Sequence, residues 1–566
     1  MQNIFVAIGG SGTKVAEALV RLLAIGFPTR VSDDGIVTSA GDTLQIWRVD
    51  PDRGSGAAES LKDALRDYKD LQDNLGYIKD TFAGSQWAME IDTDVRHLDP
   101  LLSTNDTARK EAKTLRQILD FGARGKNTTK PFLDVFYEEK ELNVNIDRGF
   151  YQKPFIGAAV MAIYAKTLED ENSPGGSKCK LTSLNNRPAR FFLCGSLHGG
   201  TGACGIPIMG KFLNDARSGH SDRPWKLSAC LLAPYSIPPE PPFNALEEEQ
   251  EVTPEKVEEF LKRYGNDEAF SELSNEEKRE LIKQILLGFY ADPKEMVARA
   301  RQSLLYYKDH VSMHFDQLYL SGKREPDKLE KWSNGGKKQN NPLNSAEVVA
   351  ALAAIRFFSD SPLGERDSYL IPTSAKGMEP DKIRLHNLPI YTVTGKDGNG
   401  ISVAVDPERV FLSTGILYHL VRHQIPWSIE AKRWSGIEGL HKRYGVNDAE
   451  KEGDHSHYEE ATKLMSKFIS SLIDPQLAKG WKDEDEKKVK YLLSDDLSNI
   501  NEITERLSKR YKFSRDKEAK EPLLLGESSI KVSAAEFGEW IPKEEKFTRG
   551  DYLRVAWSNL FTKKDQ

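Results

Sequence analysis

The residues best placed to do chemistry lie in two glycine-rich turns. Ile8-Gly9-Gly10-Ser11-Gly12-Thr13 follows the apolar run Asn3-Ile4-Phe5-Val6-Ala7. Far along the chain, Gly195-Ser196-Leu197-His198-Gly199-Gly200-Thr201-Gly202-Ala203-Cys204-Gly205 follows Arg190-Phe191-Phe192-Leu193-Cys194. Glycine tolerates positive φ and leaves backbone N–H groups open to a close-approaching anion. A helix that starts just beyond adds unpaired N–H groups and the positive end of its dipole. One such turn is a common strand-to-helix connection. Two in one chain point to a single polyphosphate gripped from both sides.

The elements around these turns are legible. Val15, Ala18, Leu19, Leu22 and Leu23 recur at helical spacing after the first turn, and Leu44 to Val49 reads as a second strand. Strand, turn, helix, strand is the unit from which parallel sheets are built. Residues from about 57 to 142 are charged and helical in pattern, without a phosphate turn, and read as an insertion. Strand-and-turn order resumes at 143–157 and leads into a helix over 158–166. The second turn is followed by a helix through Met209 and Leu213, a strand over 227–233 and a proline-rich stretch. A second helical insertion spans about 246–291, and a further strand 317–320. Ser345–Phe358 is apolar all round, as in a helix buried on every side. Asn344 precedes it with Glu347 three residues on, the spacing of a capping box. Beyond it, 359–425 is mixed, with a strand over 401–405, and 426–566 is dominated by charged helices.

With 566 residues the chain has room for several domains. Its net charge of −7 presents no basic face for nucleic acid. No apolar run approaches the roughly 18–20 residues of a membrane helix, so no transmembrane segment is expected. A strand at the start leaves no room for a signal peptide. The four cysteines (Cys179, Cys194, Cys204, Cys230) form no CxxC pair and suit a reducing cytoplasm without structural zinc. His310 and His314 share a helix face, but no third ligand accompanies them, and they read as surface residues.

Two familiar phosphate motifs fit the first turn poorly. A dinucleotide fingerprint would place its third glycine at Val15, and its acidic ribose reader well before Asp50. Gly12-Thr13-Lys14 lacks the spacing and final hydroxyl of a P-loop. Neither motif accounts for the second turn. His198-Gly199-Gly200-Thr201-Gly202-Ala203-Cys204, with Pro207 beyond it, resembles the tubulin/FtsZ signature GGGTG[ST]G, with His198 and Cys204 replacing two glycines. Gly9-Gly10-Ser11-Gly12 resembles the family's first glycine loop, and Val49-Asp50-Pro51-Asp52 the loop after its second strand. Ser345–Phe358 resembles its central core helix. The order of these features over the first 358 residues, with two large insertions, is most similar to divergent prokaryotic tubulin-like proteins.

The resemblance implies an α/β, tubulin-like three-layer nucleotide-binding domain over 1–340, a core helix at 341–358, an activation-like domain at 359–425 and a helical C-terminal region at 426–566. It implies GTP or GDP with Mg²⁺ as ligands. Gly9, Gly10, Ser11 and Gly12 would approach the α- and β-phosphates. Gly199, Gly200, Thr201 and Gly202 would cradle the β- and γ-phosphates, with His198 beside them. Asp50 or Asp52 would sit near the γ-phosphate and Mg²⁺, and Gly149 and Gly157 would flank a γ-phosphate-sensing loop. Glu240 stands where the family places its ribose carboxylate, and Asn341 or Asn344 would meet the guanine edge. For Asn344 the plain helix cap is favoured over base recognition. The family's catalytic acid pattern after the core helix is missing, leaving Asp360, Glu365, Asp406 and Glu408 as loose alternatives. The implied activities are head-to-tail self-association with GTP hydrolysis between subunits or, alternatively, a nucleotide-binding scaffold with little hydrolysis. In either case the C-terminal region is where protein partners are expected. A nicotinamide-dependent oxidoreductase is a third reading.

Overall fold

The computed structural model describes residues 2–31, 37–38, 42–77, 89–101, 114–122, 135–147, 149–240, 252–266, 273–290, 292–323, 326–329, 341–359 and 391–394. Beyond these it describes 402–405 and short pieces of the region that follows.

The first strand, β1 (Gln2–Ile8), is buried over six of its seven residues. Its near-continuous apolar run is the mark of a strand covered on both faces. It leads into α1 (Gly9–Ala24), then β2 (Thr43–Val49), α2 (Gly56–Tyr77), and the short strands β3 (Glu90–Ile91) and β4 (Arg96–Leu98). Next come α3 (Pro154–Ala165), β5 (Ala189–Ser196), α4 (Gly200–Ser218) and β6 (Trp225–Leu232). Then follow α5 (Pro254–Tyr264), α6 (Asn275–Leu286), α7 (Met296–Tyr306), β7 (Gln317–Ser321) and α8 (Ser345–Phe358). Strands β1 to β7 form one sheet in the order β7-β6-β5-β1-β2, with β3 and β4 pairing successive parts of β2. Every pairing in it is parallel. Helices cover both faces. Phe5 and Ala7 join a core with α1, α2 and α8, while Ile4, Val6 and Ile8 join one with α3 and α4.

Helix α8 occupies the residues expected, with twelve of its fourteen buried. Its N-terminus carries the anticipated capping box. Asn344 Oδ1 accepts from the Ala346 N–H at 3.0 Å, and the Asn344 N–H donates to Glu347 Oε2 at 2.7 Å. The stretch from about 57 to 142 differs from its reading as an insertion. It opens with α2, which buries Leu61, Leu65, Tyr68 and Leu71 against the α1 core, and continues into β3 and β4 of the main sheet. The second expected insertion contains α5 and α6, whose residues Leu281, Ile282 and Ile285 pack with Val257, Phe260 and Leu261 into a small cluster of their own.

After α8, Tyr391–Thr394 pairs antiparallel with Ser402–Val405. The Tyr391 hydroxyl donates to the Pro28 carbonyl at 2.7 Å, tying this hairpin to the α1 core. Lys467 pairs with Asp67 of α2 at 2.6 Å. Most of the regions read as 359–425 and 426–566, with Asp360, Glu365, Asp406 and Glu408, lies outside the described residues. Among the described residues no helix is long and apolar enough to cross a membrane.

Candidate anion-binding site

Counting β3 and β4 as one edge position, the sheet runs third, second, first, fourth, fifth, sixth. In open parallel sheets of this order, ligands bind beyond the carboxyl ends of the strands where the order reverses. Here that point falls between β1 and β5, which pair from Gln2 opposite Ala189 to Ala7 opposite Cys194. The two glycine turns are the carboxyl-end exits of these two strands. Helix α1 packs on one face and α4 on the other, and their N-termini meet at this end of the sheet, Gly9 against Thr201. Neither start has a side-chain cap: Ile8 precedes α1 and Gly199 precedes α4. The first N–H groups of each helix therefore remain available to an anion.

The turns touch one another. Gly9 has φ +71°, and a Cβ added there would stand 3.2 Å from the Thr201 Cβ. Gly12 serves a different need, since a Cβ there would lie 2.3 Å from the Cys194 carbonyl oxygen. Gly202 likewise lies against the Ser196 backbone, and Gly200 against Phe150. Gly10, by contrast, faces open space within 4 Å of its Cβ position. Thus some signature glycines serve helix–strand packing, Gly9 lets the two turns touch, and Gly10 leaves open space beside them. Ser11 hydrogen-bonds Tyr235, whose hydroxyl donates to Glu347 of α8 at 2.7 Å. Lys14 is buried and pairs with Glu17 at 2.5 Å, so it does not play the part of a P-loop lysine.

His198 and Thr201 are each 8% exposed. The His198 Nδ1 is buried without a hydrogen-bond partner, and burial pushes its pKa down to about 4. A neutral imidazole with an unused nitrogen thus stands immediately before the N-cap of α4. Gly149, with φ +117°, lies across from Thr201, whose Oγ1 is 4.0 Å from its Cβ position. Gly157 packs against Cys204 and Phe150.

Asp50 follows Val49, which pairs with Ile8, so it stands at the same sheet end as Gly9. It is buried, and burial pushes its carboxyl up to about 6 against the pull of Arg48. Arg48 bonds Asp50 Oδ2 at 3.0 Å, while Asp52 Oδ1 accepts from the Gly54 N–H at 3.1 Å. His97 reaches the Asp50 carbonyl at 2.8 Å, its pKa lowered to about 4 by burial and by Arg48. Among the described residues, no group of three or more His, Cys, Asp or Glu side chains is arranged to hold a metal ion. Mg²⁺ commonly keeps several waters and binds through substrate phosphates with one or two carboxylates. This donor set fits an ion carried in by phosphates, with Asp50 or Asp52 as neighbour.

The remaining residues are arranged differently. Glu240 is exposed and pairs with Lys294 at 3.1 Å, beside the appended helices. Asn341 is partly buried ahead of α8. The Asn344 amide is engaged as the α8 cap and donates to Asp327 at 2.6 Å. Tyr235 and the loop at Tyr151 and Gln152 carry no signal in the sequence, because single tyrosines and glutamines have no telling spacing. No family model matches this chain, and no curated protein matches it.

Proposed function

We propose that this chain binds a nucleoside triphosphate, GTP by the family resemblance, with its phosphates between the α1 and α4 N-termini. The observation that carries this reading is the contact of the two glycine turns, Gly9 against Thr201, at the reversal point of the sheet. A dinucleotide enzyme would share the strand order. The second turn and the buried α8 favour the tubulin-like reading, because a single phosphate loop explains neither. Thr201 would offer its N–H and hydroxyl to the phosphates, with Gly10, Ser11, Gly199 and His198 around them. Mg²⁺ would supply charge neutralisation when bound. A reducing cytoplasm suits the four free, buried thiols.

The activity that follows is head-to-tail self-association, since heterologous contacts that do not close build filaments. Hydrolysis depends on positioning an attacking water and on electrostatics. The family's acid pattern is missing from the sequence after Phe358, which favours slow turnover or a binding scaffold as the second reading. Sedimentation of the purified chain with GTP and with GDP separates the two. Pelleting with GTP and not with GDP supports assembly. Saturable binding without pelleting or phosphate release supports the scaffold.

A further inference from the structure

Next to the proposed phosphate site, the backbone at Tyr151 and Gln152 adopts a conformation that its own residues disfavour. Tyr151 has φ +46° and Gln152 φ +57°, shortly after Gly149 at φ +117°. Side chains other than glycine rarely adopt such values, and they persist only where surrounding contacts over-determine them. Several such contacts come from the segment that carries α5 to α7. The Tyr151 hydroxyl lies 2.8 Å from the Asn145 carbonyl and 3.1 Å from Gln284 Oε1 of α6, and its ring packs on that of Phe289 at 6.2 Å. Arg299 of α7 donates to the Gln152 carbonyl at 2.9 Å and to its Oε1 at 3.2 Å, and the Asp292 N–H donates to the same Oε1 at 3.2 Å. Lys153 lies over the Phe289 ring at 5.3 Å.

The same segment touches the other half of the site. The Tyr307 hydroxyl, just past α7, donates to the Ala203 carbonyl in the first turn of α4 at 3.1 Å. Between these two holds lie Gly149 opposite Thr201 and Phe150 against Gly200. The α5–α6 pair has its own apolar cluster, apart from the two sheet cores. It meets the loop at the Tyr151–Gln284 contact, while Leu287, Phe289, Ala300, Tyr307 and Val311 of the same segment pack into the core shared with α3 and α4.

We infer that Gln152 and Arg299 are positioning residues that link docking of the α5–α6 pair to occupancy of the anion site. The inference rests on the proposed phosphate site. Docking holds the Gly149 loop in its disfavoured shape over Thr201. A ligand that needs that shape strengthens docking, and by linkage docking strengthens the ligand's binding.

The test uses the purified full chain with GTP and inorganic tripolyphosphate, reading affinity by calorimetry and amide hydrogen exchange across residues 254–286. In the unaltered protein, ligand is expected to slow exchange in 254–286. Arg299→Ala is expected to bind about tenfold more weakly, with the exchange response gone. Gln152→Glu keeps an acceptor for Arg299 and is expected to retain both, which separates positioning from general misfolding. Saturating ligand with unchanged exchange in 254–286, or an Arg299→Ala protein with full affinity and response, overturns the linkage and leaves the site standing. Failure of both probes to bind the unaltered protein overturns the site and the linkage together.

Discussion

His198 stands buried at the mouth of α4 with Nδ1 unpartnered, an expensive arrangement unless a ligand supplies the partner. Its protonation has a definite consequence. An unfolded histidine gains its proton near pH 6.5, whereas the folded His198 stays neutral down to about 4. Between those values the unfolded chain binds more protons, so stability is full above about pH 6.5 and is lost as pH falls toward 4. Each such proton contributes a slope of about 1.4 kcal/mol per pH unit. His97 and His314 act in the same sense, so His198→Asn should remove one contribution and leave theirs. Urea midpoints near pH 5 and pH 7 check this, and an unchanged slope would contradict it. Gly12 makes a purely steric prediction. Gly12→Ala places its Cβ against the Cys194 backbone and should cost about 1–3 kcal/mol or more, read from the melting temperature. The glycines were legible as a turn in the sequence. Which of them pack and which face the crevice was not, because that depends on a strand nearly two hundred residues away.

Helix α8 was legible because two independent signals agree, an apolar circumference and a capping box. Removing the cap with Asn344→Ala should cost about 1 kcal/mol, read as a lower urea midpoint with unchanged slope. No change would mean that the backbone bond from the Asn344 N–H to Glu347 and the packing of α8 suffice without the cap. In sequence, helix α2 resembles an insertion because its exposed face carries Lys62, Asp63, Arg66, Lys69 and Asp70. Its buried stripe of Leu61, Ala64, Leu65, Tyr68 and Leu71 is that of a crossover helix. Strands β3 and β4 have two and three residues, too few to show any period. The loop at Tyr151 and Gln152 is set by α6 and α7, and so no local pattern announces it.

For the whole molecule, the parallel sheet with helices on both faces brings together two turns separated by most of the domain. The sequence pairing of glycine turns becomes a spatial one through the β1–β5 pairing. Equilibrium binding of GTP to the purified chain, with Thr201→Ala as comparison, tests the central claim most directly. The account predicts saturable binding at one site, displaced by tripolyphosphate and not by a nicotinamide dinucleotide. In Thr201→Ala that binding should weaken by about 1–3 kcal/mol. Absence of saturable binding, or an affinity untouched by Thr201→Ala, would contradict a phosphate site between the two turns.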